Sequence, residues 1–253
     1  MSILGIVSMK GGVGKTSTTA NLAAALATLL GPDRVSVVDL DPQNALHWHF
    51  GINDKAAGVC KQAVMGRDLA GAAVDSPYGV LCLPYGRASE SDREAFEELL
   101  SQDAGWLGEQ LEEVGLGEDG IVLLDVPPGP SVYLKQVFAC ADLILIVLLA
   151  DAGSYATVPA MESWLKDMSV LRPELNSFYV LNQVDKTQVL NRDVTELLQE
   201  HLGARIAPVC IHHDEAVREA LAFRQPVVAY SPHGQASDDI AQIATWLIDN
   251  LNQ

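Results

Sequence analysis

The chain has 253 residues, enough for one large α/β domain or two small ones, which excludes a marginal mini-protein. Hydrophobic residues make up 49% and charged residues 19%, so an intrinsically disordered chain is excluded too. Lys and Arg number 16 against 33 Asp and Glu, a formal charge of −17 that repels a nucleic-acid backbone unless the few basic residues gather on one face.

Strand and helix patterns alternate along the sequence. Runs at 3–8, 35–39, 80–83, 121–125, 143–149, 177–181 and 206–211 are mostly apolar, several of them at nearly every position, as expected of strands covered on both faces. Between them, residues 15–30, 93–114, 158–171, 191–202 and 214–223 read as helices. This alternation predicts an α/β fold, a doubly wound and mostly parallel sheet with helices on both faces. No repeat, low-complexity tract or long Pro/Gly/Ser linker divides the chain, so a single domain over 1–253 is expected. The last helix, 237–251, carries Ile240, Ile243, Ala244, Leu247, Ile248 and Leu251 on one stripe, with Asp238 and Asp239 in the first turn. No Lys or Arg follows Arg224, so the stripe is expected to pack in the core and not to anchor the chain to a membrane.

The first residues lack a secretory apolar stretch, and the longest apolar run, 143–150, is strand-sized, so a soluble cytoplasmic protein is expected. Cys60, Cys82, Cys140 and Cys210 form no CxxC pair, which argues against zinc and iron–sulfur sites and for reduced thiols. The four tryptophans show no spacing that suggests a stacking platform.

The strongest chemical signal lies at residues 3–18, ILGIVSMKGGVGKTST: an apolar strand, a glycine loop, then Lys-Thr opening a helix. That context makes a phosphate-binding loop. Gly11, Gly12 and Gly14 let backbone N–H groups curl around a β-phosphate, Lys15 supplies a point charge between β- and γ-phosphates, and the Thr16 hydroxyl suits Mg²⁺. Val13 and Ser17 complete the loop's contact set. Met9 holds the place of the usual first glycine, and a second lysine, Lys10, opens the loop. Asp39 and Asp41 in VSVVDLDPQNA, and Asp125 in IVLLDVPPG, follow strands whose ends fall on the ligand-binding edge of a parallel sheet.

KGGVGKT, with these acidic segments, resembles the deviant Walker A motif of the ParA/MinD group of ATPases, and the resemblance extends over essentially the whole chain. It implies ATP and Mg²⁺ as ligands, and a homodimer with ATP sandwiched between subunits. In such a dimer Lys10 reaches the other subunit's phosphates. It also implies that Thr16, Asp39 and Asp125 hold Mg²⁺, the two carboxylates largely through water, and that Asp41 orients the attacking water; Lys10, Lys15 and Asp41 are then the catalytic set. Asn182, at the end of SFYVLNQVD, matches the group's base-contacting Asn. Relatives usually carry a proline before the next helix, and here His212 takes that place beside the base. Asp214 reads as the helix N-cap.

Within the group, the segments CLPYGRASESDREAFEELL, LLADAG and IHHDEAVREALAFRQPVVAYSPHGQASDDI look like those of the cellulose-biosynthesis family, BcsQ. That implies a slow, partner-regulated ATPase acting on a bacterial cellulose synthase secretion complex. Protein partners at the inner face of the inner membrane and a small companion subunit go with that reading; direct DNA binding and an intrinsic membrane anchor do not. The alternatives are a partition ATPase that binds DNA and a P-loop enzyme passing a phosphoryl group to a small acceptor. Residues 88–125 hold 12 acids and one base, Arg93, and form a candidate protein-facing surface with a plain solvated face as the alternative.

Overall fold

The computed structural model describes residues 1–53, 58–114 and 120–251. A seven-stranded sheet organises them: β1 (Ser2–Val7), β2 (Val35–Asp39), β3 (Val74–Asp75), β4 (Val80–Leu83), β5 (Ile121–Asp125), β6 (Leu143–Leu149) and β7 (Asn176–Asn182). Their spatial order is β3-β4-β2-β5-β1-β6-β7, and every neighbouring pair is parallel except the antiparallel β3–β4 edge. The helices are α1 (Lys15–Leu30), α2 (Val59–Val64), α3 (Glu90–Gln102), α4 (Trp106–Glu113), α5 (Val132–Cys140), α6 (Ala152–Leu171), α7 (Val189–Leu202), α8 (Glu215–Ala222), α9 (Val227–Tyr230) and α10 (Gln235–Leu251).

Both faces of the sheet are buried, so the strands read as continuous apolar runs with the two faces still alternating. On β1, Leu4 and Ile6 point into the layer shared with α1 and α10, whereas Ile3 and Val7 join the layer containing α3, α4 and α5. Gly5 faces the second layer, where a Cβ would sit 2.4 Å from Val137 Cγ1, so its missing side chain lets α5 approach the central strand. The stripe on α10 is buried against α1 at Ile240, Ile243, Ala244 and Leu247, as its periodicity predicts. Among the described residues no helix is long and apolar enough to cross a membrane.

Three expectations change. Residues 206–211 do not form a strand: the segment runs beside β7 through two isolated bridges, Tyr179 to Ile206 and Val184 to His212, and Pro208 has no N–H to extend a ladder. The helix expected at 93–114 starts earlier and breaks in two, because Asp103 Oδ1 accepts from Gly105 N at 2.9 Å in the turn between α3 and α4. Helix α6 starts at Ala152 instead of 158, with Asp151 as its N-cap and Pro159 in its interior, where a proline reads from sequence as a helix start. Of the acidic segment, residues 115–119 lie outside the described residues.

Gln136 ties these helices together. This buried side chain of α5 donates to the carbonyl oxygens of Leu100 at 2.8 Å and of Asp103, and its Oε1 accepts from Leu107 N at 3.0 Å. It thus closes the C-terminus of α3 and the N-terminus of α4 at once.

Candidate functional site

The site stands where β1, β2, β5, β6 and β7 end, on the edge from which parallel strands present their loops to ligands. After β1 the chain turns through residues 8–14 into α1, with Gly12 at φ 77° and Gly14 at φ 84°, backbone that favours glycine. Gly14 is the N-cap of α1, which has no side-chain cap and no acid in its first turn. Its first N–H groups therefore remain for an anionic ligand. A cavity of about 210 Å³ lies over the loop, lined by Lys10, Gly11, Gly12, Val13, Gly14, Lys15, Thr16 and Ser17 together with Asp41 and Gln43.

Asp39 and Asp125 are register partners on β2 and β5, and both are fully buried. Lys15 forms an ion pair with Asp125 Oδ1, while the Thr16 hydroxyl donates to Asp125 Oδ2 at 2.7 Å and Thr19 to Oδ1 at 3.3 Å. Asp39 accepts from Asp41 N at 3.0 Å and Leu46 N at 3.1 Å, which shapes the loop that carries Asp41. Burial, and then the charge of Asp125, push the Asp39 carboxyl well above the usual range. Two buried carboxylates beside a hydroxyl are hard oxygen donors short of positive charge, a set that fits Mg²⁺. Among the described residues no three His, Cys, Asp or Glu side chains converge to hold a metal unaided. A hard cation held here would take its other ligands from a bound anion and water.

The loop's two lysines differ. Lys15 is 6% exposed, whereas Lys10 is 38% exposed and extends to the rim, where its Nζ donates to Asp151 Oδ2 at 2.8 Å. Asp151 also accepts from Ser154 N through Oδ1, capping α6. Burial alone would raise the Asp151 carboxyl, but the hydrogen bonds from Lys10 and Ser154 outweigh it and hold the group below the usual range.

Asn182 and His212 line a second cavity of about 110 Å³ that shares Gly14 and Ser17 with the first. Asn182 Nδ2 donates to Val13 O at 2.8 Å, fastening the loop to β7, and His212 pairs with Asp239 of α10. Asp214 caps α8 through Ala216 N, as its position predicts. The sequence reading brings Lys10, Lys15, Thr16, Asp41 and Asp125 to one edge but misses Asp151 and Asp239. Asp151 stood in the family-like segment LLADAG, but with the next helix expected only from 158 it was given no role, and Asp239 passed for a first-turn acid because the start of α10 at Gln235 was set two residues late. Trp106, Trp164 and Trp246 pack on Phe96, Phe138 and Phe178, and Trp48 lies under the Arg224 guanidinium.

The strand order and this edge define a P-loop nucleotide-binding fold of the ParA/MinD type. Solved structures agree: cobyrinic acid a,c-diamide synthase from Mycobacterium smegmatis with bound ATP analogue and magnesium superposes at TM-score 0.81, with 21% identity over 100% of this chain and 96% of that one. The septum site-determining protein MinD from Pyrococcus horikoshii OT3, complexed with Mg-ADP, gives TM-score 0.79 and 21% identity over 97% and 95%. The chain belongs to the family of the cellulose biosynthesis protein BcsQ, whose model matches residues 1–248. The BcsQ of Escherichia coli strain K12 is 30% identical over 257 residues, covering 100% of this chain and 96% of its own. That of Salmonella typhimurium strain LT2 is 28% identical, covering 98% and 94%.

Proposed function

We propose that the chain is a slow, partner-regulated ATPase working as a nucleotide-switched homodimer that supports assembly or localisation of a bacterial cellulose synthase secretion complex. Residues 1–253 act as one ATPase domain. The carrying observation is the contrast between the lysines of one loop: Lys15 is sunk on Asp125, while Lys10 stands at the rim. A rim lysine is placed to meet the phosphates of a second subunit.

In this reading the backbone of residues 11–17 cradles the ATP phosphates, and Lys15 offsets charge growing on the β–γ bridge oxygen. Thr16, Asp39 and Asp125 hold Mg²⁺, the carboxylates largely through water. The ion supplies neutralisation of charge on the β- and γ-oxygens. Asp41, lining the loop cavity, orients the attacking water, and Asn182 and His212 stand beside the base. Partners of the cellulose synthase complex, with a small companion subunit, hold the cytoplasmic protein at the inner face of the membrane.

Size-exclusion with ATP and Mg²⁺ tests the switch. Lys10→Ala is expected to bind ATP and stay monomeric, whereas Lys15→Ala loses binding. Asp41→Ala is expected to bind ATP and accumulate as the dimer. An unchanged dimer of Lys10→Ala removes Lys10 from the interface. Salt-sensitive retardation of DNA with ATP would favour the partition reading instead.

A further inference from the structure

A cavity of about 480 Å³, larger than either cavity of the nucleotide edge, opens between α7 and the segment 206–210 that runs along β7. Arg192, Thr195, Glu196 and Gln199 line it from the helix. Their spacing of i, i+3, i+4 and i+7 puts all four on one face of α7, while Val194, Leu198 and Leu202 of the same helix join the core. Opposite them, Ile206, Ala207, Pro208 and Val209 form an apolar wall with Leu181 of β7. The phosphate-loop cavity shares no residue with this one, and the Asn182 cavity shares only His212.

Lys186 completes the lining. It follows the C-terminal end of β7 and Arg192 stands in the first turn of α7, so the two cations fall at the same end of the cavity. Among the described residues neither forms an ion pair or a side-chain hydrogen bond. Burial pushes the Cys210 thiol up and the charge of Lys186 works against it, so the ammonium lies within Coulombic reach of a group that lines this cavity. Two unpaired cations beside an apolar wall, in a chain of net charge −17, are complementary to an anion that carries an apolar body. Glu196, one turn along the helix from Arg192, opposes a second negative group.

We propose that this cavity binds a small amphipathic monoanion, a carboxylate or sulfonate on an apolar body. Its charged group meets Lys186 and Arg192, and its body lies on the wall at 206–209. The site is separate from the nucleotide edge and does not rest on the ATP reading.

Fluorescence titration of the full chain with 8-anilinonaphthalene-1-sulfonate and with uncharged N-phenyl-1-naphthylamine tests this, with circular dichroism to check the fold. The sulfonate is expected to bind more tightly than the uncharged dye, and excess Mg-ATP should not displace it. Lys186→Gln and Arg192→Gln each weaken the sulfonate about threefold, and together about tenfold, the range of exposed charge pairs, and leave the uncharged dye unaffected. Gln199→Trp fills the cavity from an exposed position and weakens both dyes. Sulfonate binding that the double variant does not change, a double variant that weakens both dyes alike, dye binding insensitive to Gln199→Trp, or full displacement by Mg-ATP overturns the proposal. If Gln199→Trp does not fold, the charge variants decide alone.

Discussion

Asp151→Asn isolates the contact that holds Lys10 within its own subunit. Asp151 has two roles, and asparagine keeps one of them, since it caps a helix about as well as aspartate. The ion pair to Lys10 is lost. Both side chains are 38% exposed, so water and salt screen the pair. A contact of this kind is worth about 0–1 kcal/mol, and about 0.5 kcal/mol is a fair central value. The proposed dimer, with Lys10 reaching across, must release two such contacts, one per subunit, so the variant should dimerise more tightly by about 1 kcal/mol, a dissociation constant about fivefold lower. Sedimentation velocity at fixed ATP and Mg²⁺ over a protein dilution series measures this. The gain should shrink between low and moderate salt. In a Lys10→Ala background the same substitution should do nothing, because no lysine remains to be released. Dimerisation equal to or weaker than wild type, or a gain that persists without Lys10, refutes the reasoning.

Further outcomes follow from burial and close approach. Burial lowers His49 to about pKa 4, so the unfolded chain takes up its proton near 6.5 while the folded chain does not until about 4. Stability should therefore fall as pH drops through that window, by about 3 kcal/mol in all from this group, and His49→Gln should flatten the slope in urea titrations at stepped pH. Gly14→Ala would place a Cβ 2.3 Å from Asn182 Nδ2 at a positive φ. The left-handed backbone alone costs about 1–2 kcal/mol, so chemical denaturation should show a stability loss of at least about that size. Gln136→Leu leaves Leu107 N and two carbonyls without their partner, and chemical denaturation should show a loss of about 3 kcal/mol.

Most of the sheet and the loop were legible because their signals are local. Strands β2, β4, β5 and β6 fall on the runs read from sequence, since strands covered on both faces are apolar at nearly every position, Ser36 of β2 being an exception, and the glycine loop must adjoin its strand and helix. What was not legible depends on partners distant in the chain. Lys10 meets Asp151 across 141 positions, and nothing near either residue encodes the meeting. The stretch 206–211 has a strand's composition, yet Pro208 limits it to bridges along β7. The break between α3 and α4 turns on one aspartate side chain, Asp103, competing with the helix for a backbone N–H.

Gln136 gives the acidic surface a mechanical address. Helices α3 and α4, which carry Glu90, Asp92, Glu94, Glu97, Glu98, Glu109, Glu112 and Glu113, are fastened through that amide to α5, the helix that follows the Asp125 turn. A displacement of the turn then re-aims an electric field as well as a side chain. Such a field reaches about 10 Å into 0.1 M salt. A charged molecule within that distance of α3 and α4 feels the field before it touches a side chain.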